Sequence, residues 1–165
     1  MYKVGIITSS DKGSQGLRED KGGPAIQSII ENFSSDFVIS KYIILPDEKD
    51  QLAAEMIDMA DNQKLDLIVT TGGTGFSKRD VTPEATLSVI ERRTPGIPEA
   101  MRSISLEITM RAMLSRAEAG IRGDSLIINL PGSPKAIAEV LEPILPSVRH
   151  GIDILQGRDA ECARK

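Results

Sequence analysis

Short runs of β-branched and aliphatic residues alternate along this chain with segments whose apolar residues have helical spacing. This alternation predicts parallel strands joined by helices, because parallel neighbours need a crossover long enough to return along the sheet. The predicted strands are the apolar runs at 4–8, 37–45, 65–70 and 125–130. We therefore expect an α/β fold, a three-layer α/β/α sandwich with a mostly parallel, mixed sheet.

Helix signals occupy the segments between and after these runs. In the helix predicted over 82–92, Thr82 is expected to be the N-cap and Pro83 the first helical residue. Pro143 and Pro146 are expected to divide the last helical segment, because proline interrupts the helical hydrogen bonds. An antiparallel strand is expected near residues 116–122. The other predicted helices cover 24–30, 51–59, 98–108, 135–141 and 148–155.

Length and composition fit one domain over residues 1–165. Hydrophobic residues make up 40% and charged residues 27% of the chain, which is ordinary globular usage. The chain has no tryptophan, two tyrosines and three phenylalanines, so it has few platforms on which nucleic-acid bases could stack. A net charge of −4 does not attract a polyanion as a whole. We therefore expect no nucleic-acid partner.

The single cysteine, Cys162, and the single histidine, His150, exclude an intrachain disulfide and argue against a structural zinc site. No apolar signal region follows Met1, and no apolar run approaches the roughly 18 residues of a membrane-spanning helix. These features predict a cytoplasmic protein without a membrane partner. Neither Cys162 nor His150 is assigned a function.

Candidate functional residues follow the predicted strands. Ligands of parallel sheets bind beyond the carboxyl ends of the strands, so the loops after four strands are expected to converge. One of them, Gly72–Gly75, has two interpretations: an anion-binding nest of unhindered amides, or a sharp turn. It is neither a Walker A loop, since no Gly-Lys-Ser/Thr follows, nor a dinucleotide fingerprint, since Lys78 replaces the third glycine.

Two further features have a functional and an ordinary interpretation. Gly132 and Ser133 precede a helix that starts at Pro134, where free amides favour phosphate, although Ser133 could simply be the N-cap. Asp47 and Asp80 could together hold Mg²⁺ beside phosphate, although isolated loop aspartates commonly only stabilise turns.

Residues 70–86, TTGGTGFSKRDVTPEAT, closely resemble the molybdopterin-binding signature of the MogA/MoaB family, which includes gephyrin. Further matches lie at 10–11, 46–48, 114–116 and 129–135, so the resemblance covers about residues 1–156. The RDVTP form, with LSR downstream, is more similar to MogA-type molybdopterin adenylyltransferases than to MoaB proteins.

The resemblance implies an enzyme of molybdenum cofactor biosynthesis. Such an enzyme joins the phosphate of molybdopterin to AMP from Mg²⁺-ATP and releases pyrophosphate. The resemblance implies that Asp47 and Asp80 are catalytic and hold the magnesium ion. The substrate-binding residues that it implies are Ser10, Asp11, Thr71, Gly72, Gly73, Thr74, Gly75, Ser105, Ser115, Gly132, Ser133 and Lys135.

The resemblance also implies a homotrimer and a separate partner. The sequence lacks the insertase domain that is fused to the plant and animal relatives, so a MoeA-like molybdenum insertase is expected on another polypeptide. The alternative function is that of a MoaB-like scaffold, which binds molybdopterin without adenylylating it. The presence of both Asp47 and Asp80 favours the enzyme.

Overall fold

The computed structural model describes residues 1–158, in which six strands form one mixed sheet. The sheet order is β2-β1-β3-β6-β5-β4. The first four strands in this order are parallel, and β5 runs antiparallel to both of its neighbours. The predicted mixed sheet is thus confirmed. The strands are β1 (Tyr2–Ser9), β2 (Phe37–Leu45), β3 (Leu67–Thr71), β4 (Arg92–Arg93), β5 (Ala119–Arg122) and β6 (Ser125–Leu130).

Helices cover both faces of the sheet. A π-helical turn, Asp58–Asn62, extends α3, and a 3₁₀ turn, Met110–Leu114, follows α5. The core residues of α2, α5 and α6 pack on one face, and those of α3 and α4 pack on the other. The helices are α1 (Asp11–Ser14), α2 (Gly22–Phe33), α3 (Lys49–Ile57), α4 (Thr82–Val89), α5 (Gly96–Leu106) and α6 (Pro134–Leu155).

Consecutive side chains of the central strands enter different cores. Val69 packs in the core beneath α2, α5 and α6, whereas its neighbour Ile68 packs in the core beneath α3 and α4. Ile128 and Ile127 divide in the same way, and all four side chains are fully buried. Because both faces are covered, the strands are continuously apolar instead of alternating with polar residues.

Two helix predictions were wrong. Thr82 does not cap α4, because its hydroxyl donates to the carbonyl oxygen of Gly72 at 3.0 Å, and α4 ends at Val89, before β4 pairs with β5. Pro143 and Pro146 lie inside one continuous helix, α6, instead of dividing it. Both prolines are exposed, so water can hydrate the carbonyls that lose their donors, while the apolar face of α6 stays packed.

The remaining sequence features have simple positions. His150 is exposed on α6, and Cys162 lies outside the described residues. Within residues 1–158, no helix combines the length and the apolar character that crossing a membrane requires.

Candidate active site

Loops from the four parallel strands meet at the carboxyl edge of the sheet, as predicted. They border a cavity of about 540 Å³, which we call the carboxylate cavity because both predicted catalytic carboxylates, Asp47 and Asp80, line it. The predicted site residues that line it are Ser10, Asp47, Thr71, Gly72, Gly73, Asp80 and Gly132.

Residues 72–75 form a loop that we call the glycine loop. A second cavity, of about 310 Å³, adjoins this loop on the side of α5. We call it the α5 cavity. Its lining is more apolar, with Met101, Leu114 and Val140. The predicted site residues that line it are Thr74, Gly75, Ser105 and Ser115. Residues 71–73 therefore border one cavity and residues 74–75 border the other, so the glycine loop lies between two adjoining cavities.

The glycine loop depends on glycine at two positions. Gly72 and Gly73 have φ angles of 88° and 66°, in the left-handed region that side chains disfavour. A Cβ atom would lie 2.4 Å from the carbonyl oxygen of Ser9 at Gly72, and 2.4 Å from the hydroxyl of Thr82 at Gly73. The chain can approach its neighbours this closely only without side chains.

All four carbonyl oxygens of the glycine loop accept hydrogen bonds from Thr82 or Arg116. Those of Gly72 and Gly73 accept from the hydroxyl and the amide of Thr82, at 3.0 and 3.1 Å. Those of Thr74 and Gly75 accept from the amide and Nε of Arg116, at 3.0 and 2.7 Å. Within residues 1–158, the amides of Gly73, Thr74 and Gly75 donate to no protein acceptor. A loop whose carbonyls are hydrogen-bonded within the protein and whose successive amides are free has the polarity of an anion-binding nest.

Asp47 is held in place by hydrogen bonds at the base of the carboxylate cavity. Its Oδ1 accepts from the Ser9 hydroxyl at 2.6 Å, and its Oδ2 accepts from the Asp11 amide at 2.9 Å. A Cβ atom added at Gly73 would lie 3.4 Å from Asp47 Oδ1, so this carboxylate lies directly against the glycine loop.

Asp80 lies against the other end of the loop. Its Oδ2 accepts from the amide of Ser77 at 3.0 Å and would lie 2.9 Å from a Cβ atom added at Gly75. Asp47 and Asp80 thus flank the loop whose amides are free.

The donor set fits a magnesium ion that is shared with a substrate. Within residues 1–158, no three acidic, histidine or cysteine side chains are grouped so as to hold a metal by themselves. Mg²⁺ at phosphate sites commonly takes one or two carboxylates and completes its shell with waters and substrate phosphates. Asp47 and Asp80 line one cavity and keep lone pairs beyond the hydrogen bonds that they accept, as such a site requires.

Arg79 has a contact that the sequence did not predict. Its Nε and Nη2 donate to both carboxylate oxygens of Asp11, at 3.0 and 2.9 Å, and Nη2 also donates to Glu48 at 2.7 Å. Hydrogen bonds from Arg79, and then from the Asp47 amide, lower the pKa of Asp11. Asp11, predicted to bind substrate, therefore has a carboxylate already engaged within the protein. The sequence signal that could have drawn attention to Arg79 is its position next to Asp80 in the motif. That position does not identify Asp11 as its partner.

Asp20 is a second residue that sequence reasoning missed. It accepts from the Thr8 hydroxyl at 2.7 Å, from the Gly22 amide at 2.9 Å and from the Tyr42 hydroxyl. Burial, together with the hydrogen bond to Asp20, raises the pKa of Tyr42 to about 12. Asp20 thus anchors the start of α2 at the wall of the carboxylate cavity, where the cations Arg18 and Lys21 also lie. An aspartate just before a Gly-Gly-Pro helix start was the available signal.

Three predicted substrate-binding residues are either helix N-caps or exposed to solvent. Ser133 is the N-cap of α6, since its hydroxyl accepts from the Ala136 amide at 3.2 Å. The side chain of Lys135 is 87% exposed, with its nearest carboxylate, Glu139, 4.0 Å away. Neither lines the two cavities. The hydroxyl of Ser10 accepts from the Gly13 amide at 3.0 Å and caps α1.

The fold and the site together define a class of protein. An α/β/α sandwich with free amides and two carboxylates at the carboxyl edge is an architecture that binds phosphorylated ligands. Within that class, the sequence pattern of the family described as "Probable molybdopterin binding domain" matches residues 5–150. The chain belongs to this family.

Relatives with known names agree with this assignment. The molybdopterin adenylyltransferase of Helicobacter pylori is 44% identical over 98% of this chain and 92% of its own length. The molybdopterin adenylyltransferase of Escherichia coli K12 is 38% identical over 98% and 89%. The crystal structure of the molybdopterin biosynthesis enzyme MoaB from Thermus thermophilus is 44% identical, with a TM-score of 0.89 over 95% of this chain and 98% of that one.

Proposed function

We propose that this protein is a molybdopterin adenylyltransferase of molybdenum cofactor biosynthesis, which transfers AMP from Mg²⁺-ATP to the phosphate of molybdopterin. The observation that carries the proposal is the pair of cavities that share the glycine loop. A reaction between two phosphorylated substrates requires adjoining sites that hold both phosphates at one place. The names of the relatives that match over nearly the whole chain support the same reaction.

In this proposal the two cavities bind different substrates. The α5 cavity, with an apolar lining and the hydroxyls of Ser105 and Ser115, receives the pterin. The carboxylate cavity receives the ATP phosphates, whose negative charge Arg18 and Lys21 partly offset. Asp47 and Asp80 would hold the magnesium ion, which supplies positive charge beside the transferring phosphorus.

The reaction forms one P–O bond and breaks another. A phosphate oxygen of molybdopterin attacks the α-phosphorus of ATP, a P–O bond forms between them, and the bond from the α-phosphorus to the bridging oxygen breaks. Pyrophosphate leaves with that oxygen. The free amides of Gly73, Thr74 and Gly75 would stabilise the negative charge on the phosphate oxygens, since hydrogen bonds to the neighbouring carbonyls fix their peptide groups before the reaction begins.

A second candidate is a MoaB-like scaffold that binds molybdopterin without transferring AMP. It is favoured by the similarity to the Thermus thermophilus MoaB structure. Both functions would use the α5 cavity, but only the enzyme requires the two carboxylates on the other side of the loop.

Mass spectrometry of molybdopterin after incubation with the protein and Mg²⁺-ATP tests the proposal directly. The enzyme should add the mass of one AMP and release one pyrophosphate for each molybdopterin. Unchanged molybdopterin that stays bound to the protein would instead support the scaffold.

A further inference from the structure

Arg116 contacts the backbone of the glycine loop from behind and lines neither cavity. Its Nε donates to the carbonyl oxygen of Gly75 at 2.7 Å, and its Nη2 donates to the carbonyl oxygen of Asp80 at 2.8 Å. Its own amide donates to the carbonyl oxygen of Thr74 at 3.0 Å. One residue outside both cavities thus holds three backbone carbonyls of the site, those of Thr74, Gly75 and Asp80.

These bonds determine which way the peptide groups of the loop point. A carbonyl held toward Arg116 turns the amide of the next residue away from it, because the two groups belong to one planar peptide unit. The bond to Thr74 therefore orients the amide of Gly75, the bond to Gly75 orients the amide of Phe76, and the bond to Asp80 fixes the backbone that carries its carboxylate.

The shape of the guanidinium is essential to this arrangement. Its planar fork directs separate N–H groups to the two carbonyls and to Glu84, whereas a lysine ammonium is a single point charge. Burial raises the pKa of Glu84, but the hydrogen bond from Arg116, a backbone hydrogen bond and the nearby positive charges together outweigh it, and the pKa is lowered. Glu84 is therefore ionised at neutral pH and anchors the guanidinium from α4.

We infer that Arg116 is a positioning residue for AMP transfer, which orients the amides at the C-terminal end of the glycine loop and the backbone of Asp80 without lining either cavity. The inference rests on the proposed function for its kinetic consequence. Its structural consequence, an ordered anion-binding loop, can be measured whether or not the protein transfers AMP.

Arg116→Lys tests this role, because it keeps the positive charge and removes the fork. Arg122→Lys is the matched control: Arg122 also binds one carboxylate, that of Asp61, and one backbone carbonyl, that of Val89, but away from both cavities. Arg116→Lys should lower kcat by about 10–100-fold, the range typical of residues that orient catalytic groups, and Arg122→Lys should change it by less than about twofold.

Hydrogen–deuterium exchange supplies a readout independent of activity. In the wild-type protein, inorganic pyrophosphate should slow exchange in the segment 72–82. Arg116→Lys should speed the exchange of that segment without ligand and abolish its protection by pyrophosphate. Arg122→Lys should speed exchange only near 119–125. If Arg116→Lys does not fold, Arg116→Gln, which keeps one planar side-chain NH2 group, should show the same pattern.

Three results would overturn the inference: a wild-type kcat in Arg116→Lys, wild-type exchange in 72–82 of that variant, or no protection of 72–82 by pyrophosphate in the wild-type protein. If the wild-type protein transfers no AMP but pyrophosphate protection is lost only in Arg116→Lys, the proposed function fails and the positioning role remains.

Discussion

At the scale of single residues, the two carboxylates beside the glycine loop have similar surroundings. Asp47 accepts two hydrogen bonds and Asp80 accepts one, and each would contact a side chain added to the loop. Each is therefore fixed in place before a ligand arrives. A carboxylate held in this way would act on a bound substrate or metal ion through its negative charge. Replacing it by asparagine removes the charge and keeps the shape, so the effect of the charge can be measured.

Asp80→Asn should lower the rate of pyrophosphate release by about 10²-fold or more, because it removes one charge beside the transferring phosphorus and keeps the shape. Molybdopterin should still bind, because Asp80 does not line its proposed site, the α5 cavity. Asp47→Asn should act alike, and the double variant should be little worse than either single one if both act on one metal ion. Pyrophosphate release and equilibrium binding of molybdopterin measure the two effects.

The control for these variants is Asp124→Asn, which removes an exposed carboxylate at the opposite edge of the sheet. It should leave both measurements unchanged. A wild-type rate in Asp80→Asn would instead remove this carboxylate from the mechanism.

The ion pair between Arg79 and Asp11 makes a contribution to the stability of the folded protein that depends on pH. Because the pKa of Asp11 lies below its usual 3.8, the pair stabilises the folded protein above that pH, and the contribution is lost as the pH falls through the lowered value. Arg79→Met should raise the pKa of Asp11 toward 3.8, since the largest cause of the shift is removed. Carboxyl chemical shifts followed by NMR during acid titration measure it, and an unmoved pKa would contradict this assignment.

At the scale of elements, the glycine loop depends on what stands behind it. Thr82, the first residue of α4, binds the carbonyls of Gly72 and Gly73, so the helix start and the loop form one unit. This explains why Thr82 does not cap its own helix. Its hydroxyl instead binds a carbonyl of the loop. A threonine before a proline looks the same in the sequence whether its hydroxyl caps the helix or binds a distant loop.

Gly73→Val should weaken molybdopterin binding and leave most of the fold intact. The new Cβ atom would lie 2.4 Å from the Thr82 hydroxyl, and valine disfavours a φ of 66°. The loop would have to move from its anchors. Isothermal titration with molybdopterin and circular dichroism measure the two outcomes.

Gly151→Ala is the matched control, because a Cβ atom there meets nothing within 4 Å and the residue lies in α6. It should stabilise the protein by about 0.5–1 kcal/mol through helix propensity and leave binding unchanged. Wild-type affinity in a folded Gly73→Val variant would mean that the loop is only a turn.

At the scale of the whole molecule, an apolar surface follows α5. Ile108, Met110 and Met113 are 54%, 68% and 64% exposed, and Leu114 beside them lines the α5 cavity. Several exposed apolar side chains within one short segment are typical of interaction sites. We propose that it contributes to the contacts of a homotrimer, which would place a neighbouring subunit close to the α5 cavity.

Light scattering should give a mass three times the 17.9 kDa of one chain. Replacing Met110 and Met113 together by glutamate should lower this mass, because charges would then be buried in the contact. Leu87→Glu, at an exposed apolar residue of α4, should not lower it. A monomer mass at every concentration of the wild-type protein would contradict the proposal.

Sequence reasoning worked best where one local pattern has one physical cause. The parallel strands were predicted from apolar runs, because only a strand buried on both faces needs so many consecutive apolar side chains. The convergence of Asp47, Gly72 and Gly132 followed from strand direction alone. The motif at 70–86 indicated the family before any geometry was known.

Other features depended on contacts between residues far apart in the chain. Arg116 lies 36 positions from Asp80, and Arg79 lies 68 positions from Asp11. Asn129, inside an apolar strand, is fully buried, and its side chain bonds the hydroxyls of Thr70 and Thr86. No local pattern specifies such partners, because a hydrogen bond between distant residues exists only once the packed elements bring them together.

The amino-acid sequence by itself thus determined the layers, the direction of the strands and the edge at which the site forms, since these follow from local hydrophobic patterns and glycine chemistry. Only the tertiary structure decided that the glycine loop separates two cavities, that Ser133 caps a helix and that two arginines hold the site together. The physical reason is that orientation and pairing depend on packing across the whole chain.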